Sequence, residues 1–377
     1  MTEAGPAAPA AQLATRGPVL LIGTGLIGAS IGLALTAHGV PVRLRDASPS
    51  AQALARDVGA GEPEGPDDEP PHLVVVAAPP DVTAGLVGAA LHAYPHATVT
   101  DVASVKARIQ HELEGFGVDL TRYVGSHPMA GRERHGAAAA DSDLFVGRPW
   151  VITPSAVSRT ESIRVVRDLA VDLGASPVEM TATEHDEAVA LVSHLPQLLS
   201  SLAAARLVTA PERALGLAGQ GLRDVTRIAA SDPTLWASIL VGNADHVRRT
   251  LRGVRDDLDA LLSSLDRAAE DGPLALGALA GIAGLISAGN DGASRIPGKH
   301  GGTRRRYSEV TVLVPDRPGE LGRLFSEVGE IGINIEDFQM EHSPRQKVGM
   351  AMLSVLPGVA GTLVTELEER GWRVVVE

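Results

Sequence analysis

Short apolar segments alternate with segments of helical spacing along the first half of the chain. The apolar segments are rich in Val, Leu and Ile, which predicts buried strands. They lie at residues 19–23, 40–44, 73–77, 98–100, 123–124, 150–153 and 177–180. Strands that alternate with helices in this way predict an α/β domain with a doubly wound parallel sheet.

From about residue 183 the apolar positions follow helical spacing alone. Helices are predicted at residues 184–207, 212–218, 222–230 and 236–265. The last of them is apolar along one face, and such a face needs a partner, so we expect a homodimer. A further apolar run at 274–288 is shorter than the roughly 20 residues that span a bilayer. We interpret it as a closely packed buried helix and expect no membrane association.

A third pattern begins at Tyr307. The preceding residues, up to 306, are rich in Gly, Ser and Arg, which predicts a linker. Beyond them, strand and helix signals follow the order β-α-β-β-α-β, which is the ferredoxin-like plan.

Composition narrows the possible partners. The 377 residues include 33 Lys plus Arg and 46 Asp plus Glu, a net charge of -13, which argues against nucleic acid as a partner. The chain has no Cys, which excludes a thiolate metal site and a Cys nucleophile and suits a cytoplasmic location. Residues 1–16 lack the apolar stretch of a signal peptide and are predicted to be a disordered lead-in.

A glycine motif follows the first predicted strand and opens a helix. It reads Gly23-Thr24-Gly25-Leu26-Ile27-Gly28, and Asp46 stands 18 residues after Gly28 at the end of the next strand. This context is the fingerprint of a Rossmann dinucleotide site, in which a helix N-terminus holds the pyrophosphate. A carboxylate at Asp46 favours NAD over NADP, although Arg43 and Arg45 beside it leave NADP open.

The glycine motif and the three patterns along the chain together predict the domain organisation. The dinucleotide-binding Rossmann domain covers residues 17–182, and a helical substrate and dimerisation domain covers 183–290. A linker at 291–306 then leads to the C-terminal unit at 307–377.

Four further segments carry polar residues suited to chemistry. They read D-V-A-S-V-K at 101–106, G-S-H-P-M-A-G-R-E at 125–133, S-H-L-P-Q at 193–197 and G-L-R-D-V-T-R-I-A-A-S-D-P-T-L-W at 221–236. Each alone has a structural explanation, such as a helix cap or a kink at Pro196. Together on a dinucleotide fold they favour hydride transfer, which needs a base near the departing proton and a guanidinium for a substrate carboxylate.

In this order the motifs resemble the prephenate/arogenate dehydrogenase family of tyrosine biosynthesis, over roughly residues 18–265. The resemblance implies NAD-dependent oxidative decarboxylation of prephenate to 4-hydroxyphenylpyruvate, without a metal. Arogenate, which would give tyrosine directly, is the alternative substrate. A catalytically silent regulator that binds NAD and an amino acid is the remaining alternative.

The resemblance also implies roles for single residues. His127 would take the proton of the ring hydroxyl, with Ser104 holding it, and Arg227 would bind a substrate carboxylate. Glu133 and Asp224 occupy acidic positions that would pair with Arg227. His194, Gln197 and Trp236 would line the substrate pocket, Trp236 from either subunit. Many members have His where this chain has Gln197, which leaves the choice between prephenate and arogenate open.

Two features of the sequence, a lysine and the C-terminal unit, each have two interpretations. Lys106 is either a functional group of its motif or a solvated helix residue. The C-terminal unit resembles an ACT domain, which implies either an amino-acid effector, expected to be tyrosine, or a role in dimer contacts alone. The residues expected at the effector site are Asp316, Pro318, Gly319, Asn334 and Ile335.

Overall fold

The computed structural model describes residues 13–131, 136–272, 275–297, 307–342 and 348–375. They divide into two units. The first comprises the chain up to Thr209 together with Val225–Gly253, and the second comprises Ala210–Asp224 together with the chain from Val254. Glu133, most of the predicted lead-in and much of the predicted linker lie outside the described residues.

Eight strands form the sheet of the first unit. They are β1 (Val19–Ile22), β2 (Val42–Arg45), β3 (Glu62–Pro63), β4 (Leu73–Val76), β5 (Thr98–Asp101), β6 (Tyr123–Pro128), β7 (Pro149–Thr153) and β8 (Ser176–Glu179). Their order in the sheet is β3-β2-β1-β4-β5-β6-β7-β8. The α/β prediction is confirmed, and each predicted strand matches an observed one.

One pair of strands departs from the expected parallel sheet. β6 and β7 are antiparallel, whereas the other neighbours are parallel. A parallel pair needs a crossover, usually a helix, to return the chain to the starting edge. Among its described residues, the connection from β6 to β7 contains only the short 3-10 turn Ala137–Ala139. The sheet, which was predicted to be parallel, is therefore mixed, with β7 antiparallel to β6.

Helices cover both faces of this sheet. The first five are α1 (Leu26–Ala37), α2 (Pro49–Asp57), α3 (Pro80–Ala93), α4 (Ala107–Gly115) and α5 (Thr160–Asp172). Along β1, Val19 and Leu21 join one apolar cluster and Leu20 and Ile22 join the other. Burial on both faces explains why the strands are continuous apolar runs rather than alternating ones.

The helical region of the chain is more broken than its spacing predicts. Its helices are α6 (Ala182–Val189), α7 (Leu195–Ala205), α8 (Glu212–Leu215), α9 (Gln220–Thr226), α10 (Pro233–Gly242), α11 (Ala244–Asp271) and α12 (Ala278–Ser294). The single helix predicted at 236–265 is wrong, because the chain breaks at Asn243. There the buried amide of Asn243 donates to the carbonyl of Asp186 at 2.7 Å, which fixes the break.

A π-helical turn at Ala190–His194 joins α6 to α7. By length and apolar composition alone, the resulting stretch Ala182–Ala205 could cross a membrane. It nevertheless carries His185, Asp186 and His194, all of which are buried within the first unit. At these three positions the stretch packs against the protein interior, whereas Leu191 and Leu202 are exposed in the single chain.

The second unit contains a four-stranded antiparallel sheet. Its elements are β9 (Ser308–Pro315), α13 (Glu320–Ile331), β10 (Asp337–His342), β11 (Val348–Val355), α14 (Pro357–Glu369) and β12 (Arg373–Val375). The strand order is β10-β11-β9-β12. The predicted β-α-β-β-α-β order is thus observed, around a core that includes Val312, Leu324 and Leu353.

Two local predictions need correction. The apolar run before the linker was expected to be buried, but in the single chain Leu279 and Ile286 of α12 are 60% and 61% exposed. Its apolar face has no cover among the described residues of one subunit, and the helix continues into the predicted linker. In the predicted lead-in, the backbone N–H groups of Ala14 and Thr15 donate to the carboxylate of Asp172, which orders this part of the segment.

Candidate active site

A cleft of about 670 Å³ lies at the carboxyl ends of the central strands, where ligands of open α/β sheets bind. Its walls come from the glycine motif, from the segments at the ends of β4, β5 and β6, and from the helical region. Predicted site residues in these walls are Gly25, Leu26, Ile27, Ser104, His127, His194, Gln197 and Trp236. The fold thus brings the cofactor motif and most of the substrate motifs into one cleft.

The glycine motif forms a loop in which side chains have no room. Gly23 has a φ of 100°, and a Cβ on it would stand 2.3 Å from the carbonyl oxygen of Ala77. A Cβ on Gly28 would stand 2.0 Å from the carbonyl oxygen of Gly23. Gly25 faces open space and begins α1 without a side-chain cap. The backbone N–H groups there suit a pyrophosphate, so the loop fits a dinucleotide.

Asp46 lies beside this loop at the end of β2. Its carboxylate accepts hydrogen bonds from the backbone N–H of Thr24 at 2.6 Å and from the Thr24 hydroxyl at 2.8 Å. Arg43 and Arg45 pair with other carboxylates, those of Asp68 and Glu64. These two arginines, which made NADP an alternative cofactor in the sequence, therefore already have acidic partners.

His127, near the end of β6, is half-buried and bonds a pair of buried groups. Its Nδ1 lies 2.8 Å from Nε2 of His185, and Nδ1 of His185 lies 2.8 Å from Oδ1 of Asp186. Burial holds the pKa of His127 well below its ordinary value, and the nearby His185, Lys106 and His194 add to this effect. His127 is therefore neutral at neutral pH and can accept a proton.

Ser104 does not hold His127 in the way the resemblance implies. It lies in the wall of the same cleft, but no hydrogen bond joins the two side chains among the described residues. His185 occupies the position of the hydrogen-bonding partner instead.

Lys106 is buried, with 1% of its surface exposed, so the interpretation as a solvated helix residue is wrong. Its ammonium pairs with Asp101 and donates to the carbonyl oxygen of Ser126 at 2.7 Å. The hydroxyl of Tyr123 donates to the other oxygen of Asp101 at 2.7 Å. Burial lowers the pKa of Lys106, and the charge of Asp101 opposes that change.

The helical region supplies His194 through the π-turn. On a regular α-helix, eight residues separate Asp186 and His194 by about 80° of rotation. A π-turn takes up one extra residue, which reduces the separation to about 20°. Asn243 contacts both residues: its Nδ2 donates to the backbone carbonyl of Asp186 and lies 3.3 Å from Nδ1 of His194. Burial lowers the pKa of His194 to about 4.

Trp236 and Gln197 complete this wall of the cleft. The indole of Trp236 packs edge to face on His194 of its own chain, with ring centroids 6.1 Å apart. Gln197 is buried, and its Nε2 donates to the hydroxyl of Ser231 at 2.7 Å. This amide therefore presents a neutral, oriented group to the cleft.

The residues predicted to bind a substrate carboxylate are Arg227 and the acidic residues expected to pair with it. Arg227 is exposed and begins the 3-10 turn Arg227–Ala229, whose Ile228 lines the cleft. Asp224 belongs to the second unit and accepts a hydrogen bond from Gln220 at 2.8 Å. Glu133 is not among the described residues. Within the described part of the chain, no cluster of three or more His, Asp or Glu side chains could hold a metal ion.

Sequence reasoning missed His185, Asp186 and Asn243. A signal was present for the first two, because an adjacent His and Asp stand near the start of the predicted helix that carries S-H-L-P. Asn243 gave no comparable signal, since it stands inside an apparently continuous helical pattern.

Two family models match the chain. The nucleotide-binding domain of prephenate dehydrogenase matches residues 31–179, and the dimerization domain of prephenate dehydrogenase matches residues 181–276. The first match begins after the glycine motif, so the loop geometry is an independent observation.

Individual proteins agree with these matches. A protein of Streptomyces niveus named probable prephenate dehydrogenase is 38% identical over 94% of this chain and 98% of its own length. Aquifex aeolicus prephenate dehydrogenase, solved with hydroxyphenyl propionate and NAD+, is 28% identical with a TM-score of 0.60, over 67% of this chain and 91% of that one. Synechocystis arogenate dehydrogenase is 25% identical with a TM-score of 0.59, over 73% of this chain and 99% of that one.

The fold and the cleft define an NAD-dependent dehydrogenase. Within that class, the chain belongs to the prephenate dehydrogenase family.

Proposed function

We propose that the protein catalyses the NAD-dependent oxidative decarboxylation of prephenate to 4-hydroxyphenylpyruvate. The observation that carries the proposal is the shared cleft, in which a neutral His127 lies with the backbone loop suited to pyrophosphate. The similar Aquifex protein was solved with NAD+ and a hydroxyphenyl ligand, which supports the same pairing here.

The proton balance of this reaction suits His127. NAD, held at the glycine loop, would supply the acceptor for the hydride of the ring carbon that bears the hydroxyl. His127 takes the hydroxyl proton as the carbonyl forms. When the ring carboxylate leaves as carbon dioxide, the bonding pair enters the ring and the carbonyl oxygen becomes a phenol oxygen. His127 then returns its proton to that oxygen, so it is neutral again at the end of the cycle.

The substrate contacts in this proposal follow the cleft walls. His194 and Trp236 pack against the ring, and Arg227 binds a carboxylate through two parallel hydrogen bonds. Ser104 contacts the reacting end of the substrate rather than His127.

Gln197 bears on the choice between prephenate and arogenate. The two substrates differ at the side chain, which carries a keto acid in prephenate and an ammonium in arogenate. A neutral amide held by Ser231 neither repels an ammonium nor neutralises it. Arogenate is therefore the second candidate substrate, and the similarity to Synechocystis arogenate dehydrogenase supports its inclusion.

For the cofactor we propose NAD rather than NADP. Asp46 stands beside the loop as a carboxylate, and a 2′-phosphate there would meet its negative charge. Arg43 and Arg45 are paired with the carboxylates of Asp68 and Glu64, so neither is expected to bind the 2′-phosphate of NADP.

The proposal also includes a cytoplasmic homodimer. The helical region matches a dimerization domain, and α12 exposes Leu279 and Ile286 in the single chain. An apolar face of this kind is the usual surface of a homodimer.

For the C-terminal unit we propose an ACT domain that binds tyrosine near the turn before α13. Gly319, in this turn, has a φ of 90°. In the segment that follows α13, the amide of Asn334 donates to the carboxylate of Glu336 at 2.9 Å. The expected effector residues are Asp316, Pro318, Gly319, Asn334 and Ile335. Tyrosine should inhibit the full-length enzyme, and Asn334→Ala should weaken that inhibition. Equal inhibition of both proteins would contradict this site.

The proposed reaction is tested by assaying the purified chain with prephenate and with arogenate, each with NAD and with NADP. We expect NADH formation, fastest with prephenate. Faster turnover of arogenate would select the second candidate. The absence of turnover with both substrates would refute the dehydrogenase proposal and favour a silent regulator.

A further inference from the structure

A chain of three groups extends inward from the cleft: the half-buried His127, then the buried His185 and Asp186. Only the first lines the cleft. The other two lie behind it, on α6, with less than 2% of their surface exposed. Their contacts determine which nitrogen of His127 carries a hydrogen.

The direction of these hydrogen bonds follows from Asp186. Its Oδ1 accepts from the backbone N–H of Lys106 and its Oδ2 from that of Ala107, both at 2.9 Å. Both oxygens are thus acceptors, as in a carboxylate. Nδ1 of His185 lies 2.8 Å from the same Oδ1, so it carries a hydrogen and donates.

The state of His185 then determines that of His127. Burial lowers the pKa of His185, which makes this ring neutral at neutral pH, with a lone pair on Nε2. That lone pair accepts from Nδ1 of His127 at 2.8 Å. A neutral His127 that carries its hydrogen on Nδ1 has a lone pair on Nε2. No described residue hydrogen-bonds this Nε2, so it is the nitrogen left for a ligand of the cleft.

We propose that His185 and Asp186 are positioning residues that fix the tautomer of His127, so that its Nε2 faces the substrate as a proton acceptor. The proposal rests on the proposed function, because a proton acceptor is what oxidation of a ring hydroxyl requires. The opposite tautomer would present an N–H and could not take that proton. Once His127 is protonated, its Nδ1–H remains bonded to His185, which in turn bonds the carboxylate of Asp186.

The tautomer can be measured without any substrate. Protein labelled with 15N at histidine gives nitrogen signals that separate protonated from unprotonated ring nitrogens, and the signals lost in His127→Gln identify His127. We expect Nδ1 protonated and Nε2 unprotonated in the wild type at pH 7. A wild-type His127 with its hydrogen on Nε2 would overturn the proposal.

Kinetics of two His185 variants test the consequence for the reaction. His185→Leu removes the acceptor for His127, whereas His185→Gln places an amide oxygen near the position of Nε2. We expect kcat to fall roughly 10²-fold or more in His185→Leu with little change in KM, and to recover largely in His185→Gln. His111→Gln, at an exposed position of α4, is the matched control and should retain wild-type kcat.

The two measurements separate the possible failures. A His185→Leu enzyme that is folded by circular dichroism and keeps wild-type kcat would overturn the positioning role. If His185→Leu does not fold, the wild-type nitrogen spectrum still tests the tautomer of His127, and the kinetics of His185→Gln still test the positioning role. If the wild type oxidises neither prephenate nor arogenate, the proposed function fails, and the nitrogen spectrum alone tests the tautomer.

Discussion

Gln197 and Ser231 are joined across the cleft wall by a 2.7 Å hydrogen bond, in which the amide of Gln197 donates to the hydroxyl. The bond links α7 to the segment that precedes α10. It fixes a neutral amide at the position where the resemblance to the family implies an imidazole. We expect this difference to affect the choice between prephenate and arogenate.

We expect Gln197→His to shift the enzyme towards prephenate. A substrate carboxylate beside the new imidazole favours its protonated form despite burial, and that cation would repel the ammonium of arogenate. The ratio of kcat/KM for prephenate to that for arogenate should rise about tenfold at pH 6, which corresponds to about 1.4 kcal/mol. The shift should be smaller at pH 8, where the imidazole is neutral. An unchanged ratio at both pH values would remove Gln197 from substrate choice.

Arg227→Ala should weaken substrate binding more than turnover. The loss of a charge-assisted hydrogen bond costs about 1.5–3 kcal/mol, so KM should rise roughly 10- to 100-fold. Arg227→Lys should restore little, because an ammonium cannot form the two parallel bonds of a guanidinium. Arg248→Ala, at an exposed arginine of α11, is the control. A normal KM in Arg227→Ala would show that another group binds the carboxylate.

Lys106→Met should destabilise the first unit strongly. The substitution leaves the buried carboxylate of Asp101 without its cation, and breaking a buried pair in this way costs about 3–5 kcal/mol. Urea unfolding measures the change in the free energy of unfolding. The double variant Lys106→Met with Asp101→Asn should recover part of the loss. A loss below about 1 kcal/mol, typical of a surface pair, would contradict the buried pair.

Stability should fall with acid because of the buried histidines. The pKa of His127, His185 and His194 is lower in the folded protein than in the unfolded chain. The unfolded state therefore binds more protons below the ordinary histidine pKa of about 6.5, and stability falls as the pH drops through this range. For His194 the loss is complete only below its folded pKa of about 4.

The effect can be assigned to one residue by comparing slopes. The free energy of unfolding, plotted from pH 7 to pH 4.5, should fall less steeply in His194→Gln than in the wild type. His111→Gln, which changes an exposed histidine, should leave the slope unchanged. Equal slopes in the wild type and His194→Gln would show that protonation of His194 does not oppose folding.

The strands and the glycine loop were predictable because local sequence determines them. Residues 19–22 are apolar since both faces of β1 are buried, and Gly23 and Gly28 are required wherever a Cβ would meet a carbonyl oxygen. Such patterns depend on neighbours close in sequence. The motifs after β5 and β6 could be assigned to one cleft for the same reason, since the carboxyl ends of neighbouring strands meet at one edge.

The contacts behind the cleft could not be predicted in this way. Lys106 and Asp186 are 80 residues apart, and their hydrogen bond depends on how α6 packs against the start of α4. The break at Asn243 and the π-turn at Ala190–His194 likewise serve tertiary contacts, which override a pattern that reads as regular helix.

The most direct test of the account is the stoichiometry of products from prephenate and NAD. Hydride transfer and loss of the ring carboxylate are steps of one turnover in the proposed reaction. NADH, followed by its absorbance, and carbon dioxide, released from prephenate labelled at the ring carboxylate, should therefore form in equal molar amounts. NADH without an equal amount of carbon dioxide, or no NADH at all, would contradict oxidative decarboxylation in this cleft.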